Sequence, residues 1–176
     1  MKRKKGFTLI ELLLTLVLIT LIIVPTMIFF TAGINNSTKI KTNSELQFQA
    51  QYILNFVSEK AMESKRVELV LDDSQLRNSR INSKMEQIVS KISLRYGERD
   101  NQCYIFEAKR MKIFYGKGKS GDSAYDELGT YVKELKIKPY PEGKSFAEAN
   151  GLKITIVLAK GDEEYNASQL VFMRLS

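Results

Sequence analysis

From Phe7 to Phe30 the chain is an almost unbroken run of apolar side chains, and from Lys39 onward polar and apolar positions alternate. The first pattern predicts a helix in hydrocarbon. At ~1.5 Å per residue, residues 7–30 span roughly 36 Å, enough to cross a bilayer. Pro25 lies within the run, where it removes one backbone hydrogen bond and favours a kink. Gly33, Asn35, Asn36 and Ser37 mark the exit from the bilayer. Leu46, Ala50, Ile53 and Val57 then recur at helical spacing, with Tyr52 and Phe56 beside them. They predict an amphipathic second half of one long helix, ending near Ser64 to Arg66, whose apolar stripe packs on the domain C-terminal to it.

From Val67 the period changes to two. The stretches VELVL (67–71), KISLRY (91–96), CYIFEA (103–108) and RMKIFY (110–115) read as short strands. ELKIKPY (134–140), LKITIVLA (152–159) and SQLVFMRL (168–175) come next, the last two joined by the turn-rich KGDEEYNA (160–167). Ser74 to Ser90 is polar and reads as loop or helix. GKGKSGDS (116–123) and PYPEGKSFAEANG (139–151) read as loops by their Gly, Pro and Ser. Leu152, Ile154, Ile156 and Leu158 alternate as one face of a half-buried antiparallel strand should. The fold class is therefore α+β, a long N-terminal helix packed on an antiparallel sheet.

Composition narrows the chemistry. The net charge is +7, but Lys2, Arg3, Lys4 and Lys5 supply four of those charges, which leaves +3 for the rest. That remainder is too balanced to argue for nucleic-acid binding. The chain has one cysteine, Cys103, and no histidine. An intrachain disulfide, a thiolate metal cluster and a Ser–His–Asp triad all lack their parts. Cys103 begins a strand and reads as a small core residue.

One residue does not fit the hydrophobic run. Glu11 sits near its start, and a carboxylate in hydrocarbon is costly, on the order of 2.5–3.5 kcal/mol at mid-bilayer and less near an end. A secretory signal peptide cut near Thr31, Ala32 and Gly33 would have an apolar region of only about 7–15 residues. A plain membrane anchor fits the length, and the leading basic cluster places the N-terminus in the cytoplasm, but Glu11 is then unexplained.

The stretch KGFTLIELLLTLVLI resembles the prepilin signature of type IV pilins and type II secretion pseudopilins, position by position from Lys5 and Gly6 through Phe7, Thr8, Leu9, Ile10 and Glu11. The resemblance implies a basic leader (Lys2, Arg3, Lys4, Lys5), cleavage by a prepilin peptidase between Gly6 and Phe7, and N-methylation of the new Phe7 amine. That amine is largely protonated at neutral pH. An amine and a carboxylate near the apolar end of a helix are each costly alone. Paired between neighbouring subunits they offset one another, so Glu11 of one subunit is expected to neutralise Phe7 of the next during filament assembly.

The family pattern divides the chain into a leader (1–6), a transmembrane half-helix (7–30), an exit region with the amphipathic half-helix (31–66) and an extracytoplasmic β-rich domain (67–176). Gln47, Gln51 and Tyr52, the YVKELKIKPY strand, LKITIVL and a terminal VFMRLS with Arg174 are similar to the J-type minor pseudopilin group. This implies a minor subunit at or near a filament tip that helps to prime assembly. The partners implied are the peptidase, other major and minor pilins or pseudopilins, an inner-membrane assembly platform and the cytoplasmic membrane. The bulk would lie outside that membrane, on the cell surface after assembly. No cofactor is implied.

Other chemistry reads as absent. Asp72, Asp73, Asp122, Asp126 and Glu127 lack EF-hand spacing and serve turns more readily than Ca²⁺. GKGKSG (116–121) lacks the spacing of a phosphate loop. Lys109, Arg110, Lys112, Lys117 and Lys119, with Phe114 and Tyr115 interleaved, form one basic stretch, and Lys136 with Lys138 another. A competence-type pilin or adhesin could use them on DNA or a surface, but alternation with Leu135 and Ile137 makes a solvated strand face the better reading of the second. The expectation is a structural subunit, not an enzyme; a single-pass protein that never polymerises is the remaining alternative.

Overall fold

The computed structural model describes residues 8–72 and 79–174. One helix, α1 (Leu9–Met62), is followed by eight strands: β1 (Arg66–Asp72), β2 (Gln87–Arg95), β3 (Cys103–Lys109), β4 (Lys112–Gly118), β5 (Asp126–Thr130), β6 (Val132–Tyr140), β7 (Gly151–Lys160) and β8 (Glu163–Phe172). The chain divides into two units, residues 1–41 and 42–176.

The described part of the first unit is helix alone. Every side chain from Thr8 to Lys41 is exposed, including the large apolar ones from Leu9 to Ile40. This helix is long and apolar enough to cross a membrane. A helix with its apolar side chains this exposed draws its stability from its own backbone ladder and from surroundings as apolar as itself.

In the second unit, α1 buries one stripe: Leu46, Ala50, Ile53, Leu54, Val57, Ser58 and Ala61. These recur at three- and four-residue steps, the face the sequence pattern predicts. They join Val70, Ile92, Leu94, Phe106, Ile113, Leu135, Ile137, Leu152, Ile154, Ile156 and Leu158 in one core. Gly129 lets β5 come close, since a Cβ there would lie 2.6 Å from Ile53 Cδ1. Phe56 is clamped edge-on by Tyr115, with ring centroids 4.9 Å apart, and by Phe106 at 6.4 Å.

All strand pairings are antiparallel, in the order β5-β4-β3-β2-β6-β7-β8, with β1 also on β2. β2 is shared along its length: Lys91 to Arg95 pair with both β1 and β3, while Gln87 and Ile88 pair with β6. Two distant parts of the chain are thereby joined into one curled sheet.

The α+β expectation is met, and several boundaries are corrected. Among the described residues of the 74–90 stretch there is no helix; Ser79 bridges Leu71 and Gln87 to Ser90 already belong to β2. Polar composition hid the start of a strand in which Gln87 and Ser90 are half-buried and Val89 is buried. Arg110 and Met111 are not strand but a two-residue turn, both left-handed (φ 52° and 60°), closing the Lys109–Lys112 pair. Such turns match the twist of the strands they join, and Val132 N donating to Met111 O holds this one. β4 runs through Gly118, into a segment expected to be loop, and β8 starts at Glu163, inside the expected connection, leaving only Gly161 and Asp162 as turn. β5 had no sequence signal at all, because DELGT carries a single large apolar residue.

Candidate functional site at the head of the helix

Gly6, Phe7 and the basic residues Lys2, Arg3, Lys4 and Lys5 lie outside the described residues, so the site is built from Thr8 onward. Thr8 is the last residue before the helix and Glu11 stands in its first turn. The Thr8 backbone N donates to Glu11 Oε2 at 2.9 Å, and Thr8 Oγ1 donates to the same oxygen at 2.8 Å. Glu11 N in turn faces Thr8 Oγ1 at 3.4 Å. This is a reciprocal capping box, in which two side chains satisfy the amides that the first turn leaves without partners. The positive end of the helix dipole favours the carboxylate there as well. Thr8 is the participant that sequence reading passed over, although T-x-x-E ahead of an apolar run is itself the signal.

The remaining polar groups of the apolar run are satisfied within it. Thr15 Oγ1 donates to Glu11 O and Leu12 O, Thr20 Oγ1 to Val17 O, Thr26 Oγ1 to Ile22 O, and Thr31 Oγ1 to Met27 O and Ile28 O. Glu11 is the one charged side chain between Thr8 and Thr38. Threonine hydroxyls returned to the backbone cost little in hydrocarbon, whereas a carboxylate keeps a full charge to be balanced. Both Thr8 bonds converge on Oε2.

Among the described residues no group of His, Cys, Asp and Glu could hold a metal ion. Asp122 serves its own turn, its carboxylate accepting from Lys119 N at 2.8 Å, and Asp126 and Glu127 lie in β5. Asp72 holds Arg80 at 2.7 Å, and Asp73 lies outside the described residues. Most lysines of the two basic stretches face carboxylates: Lys109 with Glu107 (3.4 Å), Lys112 with Glu127 (2.6 Å), Lys136 with Glu134 (2.8 Å), and Lys138 with Glu142. Lys117 lies over the Tyr104 ring, 5.5 Å from its centroid. Each of these carboxylates offsets part of the positive charge of the two stretches. Cys103 is fully buried, and desolvation pushes its thiol above the usual range, which disfavours the reactive thiolate.

The strongest electrostatic arrangements here tie elements together. Arg95 is buried and grips Glu68 with two bonds, Nε to Oε2 at 2.8 Å and Nη2 to Oε1 at 2.9 Å, joining β1 to β2. These bonds hold the Glu68 carboxyl below its ordinary range. Glu63, just beyond α1, accepts a short bond from Tyr104 Oη on β3 and an ion pair from Lys60 at 2.9 Å. Those bonds, the tyrosine's first, lower its pKa. Burial, followed by the bond to Glu63, raises that of Tyr104.

No curated protein and no solved structure matches the chain. Residues 1–27, which include Thr8, Glu11 and most of the apolar run, match the prokaryotic N-terminal methylation motif, and this match supports a prepilin-type processed pilin or pseudopilin.

Proposed function

We propose that this chain is a minor subunit of a type IV pilus-like filament, made as a membrane-held precursor, cut between Gly6 and Phe7, and methylated on the Phe7 amine. The observation that carries the proposal is the coincidence, in residues 1–27, of the methylation motif with an apolar helix whose one charge stands in its first turn. Before cleavage there is no amine beside that carboxylate, so assembly waits for processing. Afterwards the Phe7 ammonium of one subunit meets Glu11 of the next, and the pairing sets the stagger of helices whose apolar surfaces alone would slide. At or near a filament tip, such a subunit would prime assembly with other minor pilins on an inner-membrane platform.

Intact-mass and N-terminal analysis of the protein from its native host tests the first step. The expected product starts at an N-methylated Phe7. An intact leader, or a cut near Gly33, overturns the proposal. The capping box sharpens the second step, because Glu11 has two separable tasks. Thr8→Ala removes the cap and keeps the carboxylate, whereas Glu11→Gln removes the charge. If charge pairing drives incorporation, Glu11→Gln is cut normally but fails to enter filaments, and Thr8→Ala enters them. Equal loss in both variants would assign Glu11 to starting the helix instead.

A further inference from the structure

Tyr104 and Phe106 of β3 face α1, so by strand alternation Cys103, Ile105 and Glu107 face the other way. On that outer side Cys103, Ile105 and Ala124 are buried, yet they stand apart from the main core. The cover is the segment from Lys119 to Tyr125, which folds back over the sheet. Two glycines of β4 make room for it: a Cβ on Gly116 would lie 3.2 Å from Ala124 Cα, and one on Gly118 would strike the Asp122 carboxylate.

Side chains of the sheet hold three successive carbonyls of this segment. Ser93 Oγ donates to Ser120 O at 2.7 Å, and Lys91 Nζ reaches Gly121 O at 3.5 Å and Asp122 O at 3.0 Å. The Lys91 ammonium also lies 3.7 Å from Glu107 Oε2, which accepts from Ala124 N at 3.1 Å. Lys91 is only 6 % exposed, an unusual place for an ammonium. Its charge is balanced by Glu107, and its hydrogens by oxygens that belong largely to the covering segment.

We propose that residues 119–125 form a strap that opens as a unit while the sheet stays folded, and that Lys91 is the pin that keeps it closed. The hydrogen bonds that tie the strap to the outer face of β2 and β3 run through the side chains of Lys91, Ser93 and Glu107. A segment held this way belongs to the low-stability end of a domain. When it lifts, Lys91 and the three carbonyls are rehydrated together, and the ladders linking β2, β3 and β4 need not change. Closed, it hides Ile105 and Cys103 on a face that would otherwise be an apolar patch.

The test uses the full-length protein in detergent micelles, with Cys103→Ser and Ala124→Cys placing the single thiol on the underside of the strap. With Lys91 present, a thiol reagent should label it slowly. Adding Lys91→Met should raise the rate roughly tenfold or more, since charged hydrogen bonds to buried carbonyls are lost. Urea, raised well short of the melting transition, should change that rate little, because opening the strap exposes only the outer face of β2 and β3. Ser93→Ala should give a smaller rise. An unchanged rate in Lys91→Met overturns the proposal, as does a rate that climbs with urea as steeply as unfolding of the domain, followed by tyrosine near-ultraviolet circular dichroism, which would make the strap part of the cooperative core. If Lys91→Met does not fold, Ser93→Ala decides: no acceleration overturns the proposal, and an acceleration that urea leaves unchanged upholds it.

Discussion

The same helix serves two solvents. Its described first part, Leu9 to Lys41, exposes every side chain, and Leu12, Leu16 and Ile19 are each more than half exposed. Its second part buries Leu46, Ala50, Ile53 and Val57 against a sheet that the rest of the chain supplies. In the first region apolar surface runs all round and cannot define one orientation. In the second a single stripe is apolar, and one face is therefore fixed. What distinguishes neighbours along the first region is the lone charge of Glu11, and this is why the functional reading rests there.

The largest expected effect is on assembly. Glu11→Gln should abolish incorporation into filaments, read by shearing and blotting the surface fraction, while leaving the domain's melting temperature unchanged. Loss of domain stability in this variant would break the separation of the two regions.

Truncating the buried stripe should do the reverse. Leu46→Ala is expected to destabilise the domain by about 3 kcal/mol, through lost burial and the cavity left behind, whereas Leu16→Ala should leave its thermal transition where it was. Calorimetry of both variants in the same detergent is the comparison to make. Next comes the Arg95–Glu68 clamp. Glu68→Gln leaves Arg95 buried with a weaker partner and should cost about 2 kcal/mol, discounted because Glu68 is partly exposed.

Acid titration probes the same clamp without mutation. Glu68 and Glu63 have lowered pKa values in the folded domain, so the fold binds their protons less readily than the unfolded chain does. Their contribution is present above the unfolded carboxylate value of about 4.3 and is lost as pH falls through the lowered folded values. Melting temperature should therefore drop below about pH 4, and the drop should be smaller in Glu68→Gln. Least of all, Lys136→Ala should change stability by under about 0.5 kcal/mol, since its pair with Glu134 is a surface one.

The helix, its apolar first half, its buried stripe and the alternation of β7 were legible because each is a local period in one stretch of chain. The T-x-x-E cap was equally local. Strand ends were less so: β2 begins in a polar stretch ahead of its buried run, and β5, at the sheet's edge, is nearly all polar, because an edge strand needs little apolar sequence once its neighbour supplies the pairing. The lysines could be counted in advance, but not their partners. Lys133 meets Glu164 and Lys160 meets Glu45 across long stretches of chain, at 2.6 and 2.7 Å.

The sequence by itself determined where this protein meets a membrane, which residue carries the charge there and which face of the helix seeks a core, since these depend on side-chain order along one element. Tertiary structure alone decided that β2 would join β1 and β3 at one end and β6 at the other, that Arg95 would find Glu68, and that Lys91 would lie beneath the segment from Lys119 to Tyr125. Each of these is a meeting of residues far apart in the chain. Its free energy exists only once both have been brought to the same place.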